Sequence, residues 1–100
     1  MAQLENFRLK VFRVVAEHLS FHKAAEDLFL TQPAVTRQIK ALENDLGVRL
    51  FDRTTSKIVL TRQGSVLLGY ARKLAQLVSE AEGELIPDNG KPSGELSLLW

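Results

Sequence analysis

The chain has 100 residues, of which 45% are hydrophobic and 25% charged, and its formal net charge is +1. This length and composition predict one small domain that folds around its own core. The absence of cysteine excludes a disulfide framework, a thiolate zinc site and a cysteine nucleophile. No apolar run approaches the roughly 18 residues of a membrane span, and the N-terminus lacks the pattern of a signal peptide. These features predict a cytoplasmic protein.

Charge is unevenly distributed along the chain. Residues 1–30 carry four basic and four acidic side chains, residues 31–62 carry six and three, and residues 63–100 carry three and five. The middle segment is therefore +3, while the C-terminal segment is −2. A positive segment of this kind is typical of a surface that faces phosphates, although basic patches also occur on solvated faces that bind nothing.

The first part of the chain predicts two helices. Residues 4–18 carry apolar side chains on more than one side, which predicts a central core helix with a stripe of Leu4, Phe7, Val11, Val14 and Val15. Ser20 is the predicted cap of a second, short helix, where Ala24 and Ala25 would let another helix cross closely. Only residues 29–31 separate it from the next helical pattern, and this is the spacing of a helix-turn-helix.

The third predicted helix spans residues 31–46 and has two unlike faces. Thr31 is its predicted N-cap, Pro33 lies in its first turn, and Gly47 ends it in a left-handed conformation. The face predicted to meet the core carries Val35, Ile39, Leu42 and Leu46. The opposite face of its first half carries side chains that can hydrogen-bond a base edge or a phosphate, namely Gln32, Thr36, Arg37 and Lys40. Such a helix suits a DNA major groove.

After the third helix the apolar period changes to two, which indicates strands. Residues 49–53 and 58–60 predict a small hairpin, or wing, with a polar turn between its strands. Thr61 is the predicted cap of a last helix that runs to residue 86. At 1.5 Å per residue this helix would be about 39 Å long, more than a small domain needs to cover its core.

The last predicted helix carries an apolar stripe near the heptad spacing of a helix seam, formed by Leu67, Tyr70, Leu74, Leu77, Val78 and Ala81. This stripe could fold back onto the domain's own core, but its length favours a dimer seam for the distal part. Residues 87–94, which contain Pro87, Gly90, Pro92 and Gly94, predict a hinge. Residues 95–100 predict the first strand of a truncated further domain.

Five segments of the chain resemble LysR-type transcriptional regulators. They are AAEDL at 24–28, TQPAVTRQI at 31–39, LE at 42–43, LGVRLFDR at 46–53 and LTRQG at 60–64. The resemblance implies a mostly α-helical fold, with a winged helix-turn-helix at residues 1–60. It further implies a linker helix at 61–86 that dimerises with an antiparallel partner, followed by a sensor domain that binds a small-molecule inducer.

The resemblance also implies which residues contact DNA. Bases would be read by Gln32, Pro33, Thr36 and Arg37, and the DNA backbone would be contacted by Thr31, Gln38, Lys40, Arg53 and Lys57. Family members often have serine at the position of Thr36, and threonine adds a methyl group that can touch a thymine. Many members carry a minor-groove arginine in the wing where this chain has Ser56, which leaves Ser56 and Lys57 as the minor-groove candidates.

Several assignments have alternatives. Lys40 could instead pair with Glu43 three residues later, and Arg53 could pair with Asp52 or another nearby acid. His18 and His22 have the i,i+4 spacing of a metal pair, but the helix start predicted between them should separate the two rings.

The implied function is sequence-specific binding of double-stranded DNA by a dimeric bacterial transcriptional regulator, which could form a tetramer at full length. No catalytic or metal site is expected in these residues, since they contain no cysteine, no glycine-rich phosphate loop and no paired acids near a histidine. No cofactor is expected either, because the inducer site would lie in the sensor domain. The alternative is a winged-helix assembly module whose basic face docks an acidic protein partner. The amide and hydroxyl groups of the third helix favour DNA, since attraction to an acidic partner would require only charge.

Overall fold

The computed structural model describes residues 6–53 and 57–86. Within these residues, four helices and one two-stranded antiparallel sheet follow in the order α1 (Phe7–His18), α2 (Phe21–Leu28), α3 (Gln32–Leu46), β1 (Phe51–Asp52), β2 (Val59–Leu60) and α4 (Arg62–Leu85). This order confirms the predicted winged helix-turn-helix. In the same ranges, no helix combines the length and apolarity that crossing a membrane requires. The predicted hinge at 87–94 and strand at 95–100 lie outside the described residues.

Three helices begin at their predicted caps. The hydroxyl oxygens of Ser20, Thr31 and Thr61 each accept a backbone N–H from the residue three positions later, at 3.1, 3.2 and 3.0 Å. Each bond satisfies one of the backbone donors that the first turn of a helix leaves without a partner. Gly47 ends α3 with a φ of +71°, as predicted.

The predicted start of the first helix at residue 4 is wrong. The helix begins at Phe7, because the side chain of Asn6 caps it by accepting the backbone N–H of Leu9 at 3.1 Å. Leu4 lies outside the described residues, and Phe7 is 47% exposed rather than part of the buried stripe. The buried residues of α1 are Val11, Phe12, Val15 and Ala16.

Aromatic contacts join the wing to the helices. The ring of Phe51 on β1 lies 5.5 Å from that of Phe12 on α1 and 5.9 Å from that of Phe21 on α2, measured between centroids. All three side chains are almost fully buried, and tilted or edge-on aromatic pairs of this kind add to the burial of apolar surface. The core therefore fixes the base of the wing relative to the helix-turn-helix.

The apolar stripe of α3 meets the core over most of its length. Val35 and Ile39 are buried and Leu42 packs against the core, as predicted. Leu46 is 49% exposed, so its predicted place in the core is wrong. It belongs to the last turn of α3, where the helix borders an open groove beside the start of α4 rather than the buried cluster.

The two halves of α4 have different surroundings. Gly64, Leu68 and Ala71 in its first half are buried, and Leu67 packs against the core. Leu67 therefore contributes to the domain's own core. This is the alternative that the sequence leaves open for the apolar stripe. The described chain measures 50 × 24 × 19 Å. Of the other residues of the predicted seam, Val78 is half-buried. The exposed ones are Tyr70, Leu74, Leu77 and Ala81.

The start of α4 lies directly against β1 and the residues before it. The backbone N–H of Thr61 donates to the carbonyl oxygen of Leu50 at 3.0 Å, and its hydroxyl donates to the carbonyl oxygen of Arg49. At Gly64 a Cβ atom would lie 2.2 Å from the Leu50 oxygen and 2.9 Å from a methyl carbon of Leu60. The close approach of helix and strand thus requires glycine at this position.

We expect Gly64→Ala to lower the free energy of unfolding by about 1–3 kcal/mol, because the new methyl group overlaps a backbone oxygen that cannot rotate away. Urea unfolding would measure the change. Gly69→Ala is the matched control in the same helix, where a Cβ meets nothing within 4 Å. It should gain about 0.5–1 kcal/mol from helix propensity. Equal stability of the two variants would show that the close approach is dispensable.

Candidate nucleic-acid interface

One face of α3 points away from the core. Its members Pro33, Arg37, Lys40 and Asn44 recur at steps of four, three and four residues and are all exposed. Gln32 is also exposed and Thr36 is half-buried. These two residues lie on the flank of α3 that faces the wing. The predicted base-contacting residues thus share the accessible side of the helix.

A cleft of about 430 Å³ separates this helix from the wing. Its floor includes the core rings of Phe21 and Phe51. Its polar lining includes Thr36, Lys40 and Asn44 from α3 and Arg49 and Arg53 from the wing side. The cleft therefore brings cations from two separate chain segments to the same side of α3.

A second cleft, of about 510 Å³, lies at the N-terminal end of α3. Gln32, Arg53 and Lys57 line it together with residues from the start of α2. Arg53 lines both clefts, which makes them neighbours on one continuous surface. We call this the basic surface, and its four cationic side chains are Lys40, Arg49, Arg53 and Lys57.

A contact that the sequence did not reveal positions Arg53. Its guanidinium carbon lies 4.6 Å from the centroid of the Phe21 ring, in a cation–π arrangement. Such stacking orients a guanidinium and leaves its N–H groups free to face an anion. The ring of Phe21 is itself buried, so the core holds Arg53 between the two clefts.

Glu43 contacts the base of the wing. Its carboxylate accepts the backbone N–H of Leu50 at 2.8 Å and that of Phe51 at 3.4 Å. The carboxylate therefore fixes the start of β1, the first strand of the wing, to the last turns of α3. An ion pair with Glu43, three residues later, is the alternative role that the sequence leaves open for Lys40. Lys40 is exposed on the basic surface.

The remaining residues predicted to contact DNA do not all lie on the exposed face of α3. Thr31 uses its hydroxyl to cap α3, as described above. Gln38 is half-buried and lies about 200° around the helix from Thr36, on the flank opposite the wing. Lys57 is exposed in the wing, and Ser56 lies outside the described residues. Sequence reasoning missed Asn44, which continues the step of four from Lys40, and it counted Arg49 as basic without assigning it to the site.

The two histidines face different acids. Nε2 of His18 contacts the carboxylate of Asp27, which links the end of α1 to α2. Nε2 of His22 lies 3.2 Å from the carboxylate of Glu26, one turn later in α2. In the part of the chain that the structure describes, no three potential metal ligands cluster together.

The sequence of this domain is similar to those of known regulators. A family model described as bacterial regulatory helix-turn-helix protein, lysR family, matches residues 7–65. The RuBisCO operon transcriptional regulator of Allochromatium vinosum is 40% identical over 91 residues, or 91% of this chain and 30% of its own length. The uncharacterized HTH-type transcriptional regulator YbhD of Escherichia coli K12 is 50% identical over 90 residues, or 90% of this chain and 28% of its own.

The fold has a counterpart among solved structures. The DNA-binding domain of BenM in complex with catB site 1 DNA aligns with a TM-score of 0.75 and 36% identity, covering 78% of this chain and 87% of that one. Fold and surface define a winged helix-turn-helix domain of the bacterial regulator class. The chain belongs to the lysR family of these proteins, and it spans about 30% of the length of the curated relatives it matches.

Proposed function

We propose that this chain binds double-stranded DNA with sequence specificity, as the dimeric DNA-binding part of a bacterial transcriptional regulator. The observation that carries the proposal is the juxtaposition of Gln32 and Thr36 on α3 with the four cations of the basic surface. Hydrogen-bonding groups can read base edges while neighbouring cations hold the phosphates on either side. The DNA complex of the BenM domain, which has the same fold, supports this function.

We propose that the N-terminal half of α3 enters the major groove. There Gln32, Pro33, Thr36 and Arg37 would contact bases, because amide and hydroxyl groups and the guanidinium match the donors and acceptors displayed in that groove. Lys40 and Arg53 would contact phosphates beside it, with Thr31 and Gln38 as further backbone contacts. The capped start and the buried stripe of α3 would hold this edge rigid, so that little order has to be gained on binding.

The wing would lie along the DNA backbone beside the major groove. Lys57 is exposed two residues before β2 and lines the same cleft as Gln32 and Arg53. We propose Lys57, with Ser56, as the residues nearest the minor groove. Arg49 is a further candidate phosphate contact, since it lines the cleft between α3 and the wing with Lys40.

The dimer would form through the part of α4 that begins at Tyr70. Tyr70 is 64% exposed, Leu74 39% and Leu77 60%, which is unusual for large apolar side chains on one helical stripe. Pairing this stripe with a second copy would bury it and place two recognition helices on one duplex. A tetramer of the longer protein would need contacts elsewhere.

Several further expectations belong to this proposal. The protein would act in the bacterial cytoplasm, associated with the nucleoid, and DNA binding would need no metal, cofactor or catalytic group from these residues. Any inducer would bind to another part of the regulator. Docking of an acidic protein partner to the basic surface is less favoured, because it leaves the hydrogen-bonding groups of Gln32 and Thr36 without a role.

We expect Lys40→Ala to weaken binding about equally on specific and random duplexes and to lower the slope of log K against log salt by about one. The reason is the loss of one phosphate neutralisation, which fluorescence anisotropy across a salt series would measure. Arg72→Ala is the control, since Arg72 is exposed on α4 and faces Glu17 at 3.5 Å instead of the basic surface. A salt slope unchanged by Lys40→Ala would remove Lys40 from the interface.

A further inference from the structure

The second cleft, at the N-terminal end of α3, is lined by a titratable side chain that the proposed function leaves unused. His22, the second residue of α2, lines this cleft together with Gln32, Arg53 and Lys57. Its side chain is 71% exposed, so the imidazole is accessible from solvent. Gln32 is the proposed base contact of this cleft, and Arg53 and Lys57 are proposed contacts to the DNA backbone. A duplex that meets these three side chains covers the cleft and therefore comes close to His22.

The charged groups that face His22 belong to its own helix and to the wing. Nε2 of His22 lies 3.2 Å from a carboxylate oxygen of Glu26, one turn later in α2. The other charged side chains that line the cleft are the cations Arg53 and Lys57. The helices packed against α2, namely α1 and α3, add no charged side chain to this lining. Among the described residues, no acid lines the cleft, so Glu26 is the acid that His22 meets.

Protonation of His22 would change the charge beside the cleft. Histidine is the side chain that ordinarily gains or loses its proton between about pH 5 and pH 8. When His22 is neutral, the carboxylate of Glu26 carries an uncompensated negative charge and repels a phosphate. An imidazolium has two N–H groups, so one can face Glu26 while the other donates to a phosphate oxygen. Both effects have the same sign, and both favour DNA binding by the protonated form.

We propose that His22 is a contact to a DNA phosphate that carries charge only when it is protonated, which makes DNA binding by this chain depend on pH. If the protonated form binds the phosphate more tightly, DNA binding takes up protons. The affinity for DNA then rises as the pH falls through the range in which the imidazole titrates. This inference rests on the proposed DNA-binding function and adds to it a contact from α2.

The other histidine of the chain is a matched control, since the sequence contains two in all. Nε2 of His18 contacts the carboxylate of Asp27, near the end of α2. His18 lines neither of the two clefts of the basic surface. A proton on His18 is therefore held by an acid outside the proposed interface. Variants at these two positions account for every imidazole in the chain.

The test is the affinity of the 100-residue chain for a random-sequence duplex, measured by fluorescence anisotropy at about pH 6 and about pH 8. The wild-type chain should bind about three- to tenfold more tightly at the lower pH, because one phosphate then gains a cationic partner. His22→Gln should abolish most of this difference, whereas His18→Gln should keep it. At the lower pH, His22→Gln should also reduce the slope of log K against log salt by up to about one. At the higher pH the two slopes should be equal.

A permanent charge at the same position separates a phosphate contact from a structural role. His22→Arg carries its charge at both pH values, so at the higher pH it should bind as tightly as the wild-type chain does at the lower pH. Weak binding by this variant at both pH values would overturn the inference, as would a pH dependence that survives His22→Gln. Equal wild-type affinities at the two pH values would overturn it as well, while the proposed DNA-binding function would stand. A wild-type chain that binds no duplex at either pH would overturn the proposed function itself.

Discussion

A Leu77→Lys variant should sediment as a monomer at concentrations where the wild-type chain is a dimer. Leu77 is 60% exposed, so the substitution should leave the fold of the single chain intact. In the proposed dimer Leu77 lies at the centre of the seam. A lysine at this position would bury its charge against apolar side chains of the other protomer. The dimer dissociation constant should rise by about 100-fold or more, which is the size expected at a central interface position.

The control for this variant lies on the same helix. Ser79 is exposed and lies about 180–200° around α4 from Leu77 and Tyr70, so Ser79→Lys adds the same charge outside the seam. It should leave the dimer unchanged. Loss of the dimer should also weaken binding to a duplex with two half-sites far more than binding to a single half-site. The reason is that the two recognition helices are then no longer linked in one molecule. An undiminished dimer in Leu77→Lys would place the interface elsewhere.

The double variant Gln32→Ala, Thr36→Ala should lose about 100-fold or more in affinity for its specific site and little on random duplexes. Each base contact is worth about 1–3 kcal/mol of discrimination, and phosphate contacts are unaffected by the change. Gln32 is exposed and Thr36 is half-buried on the flank of α3 that faces the wing, so neither supports the core. Competition binding against specific and random DNA would measure the two affinities.

An amide elsewhere on the surface provides the comparison. Gln76→Ala removes an exposed side chain of α4 that donates to Glu80 at 3.0 Å, and it should change neither affinity. Equal losses on specific and random DNA in the double variant would mean that Gln32 and Thr36 hold the backbone and do not read bases. Removal of the Thr36 hydroxyl alone, in Thr36→Val, should retain the methyl contact and lose less.

The helix starts could be predicted because their causes are local. Ser20, Thr31 and Thr61 each cap a helix through a backbone N–H three residues away, and such a pattern is visible in any short window of sequence. Asn6 could have been recognised by the same rule. The apolar side chains within residues 4–9 obscured this cap, because their helical periodicity extends N-terminal to Phe7, where α1 begins.

The contacts that build the site are mostly not local. The carboxylate of Glu43 meets a backbone N–H seven residues away, Arg53 stacks on Phe21 from an earlier helix, and Gly64 touches the carbonyl of Leu50. No periodic pattern encodes such approaches, since they depend on how the helices and the wing pack in three dimensions. The motifs that carry the resemblance to the family include Glu43, Arg53 and Gly64, but not Phe21, and they do not give the physical role of these residues.

Two further features could not be read from residue types. Leu19 and Phe29 end α1 and α2 in the left-handed conformation, with φ of +51° and +57°, which glycine or asparagine would have signalled. The exposure of Leu46 depends on where α4 begins, and the apolar period of α3 alone predicted burial. That exposed residue is what distinguishes the groove from an ordinary part of the core.

The most direct test of the proposed function is selection of binding sites from random duplex DNA with the 100-residue chain. The proposal predicts an inverted-repeat consensus whose half-site centres lie about 34–36 Å apart or a small multiple of that distance, because two recognition helices of a symmetric dimer must face the same side of the duplex. Thr36→Ala should relax the preference at one position in each half-site. Enrichment of no sequence at all, with binding retained, would contradict specific DNA recognition by α3.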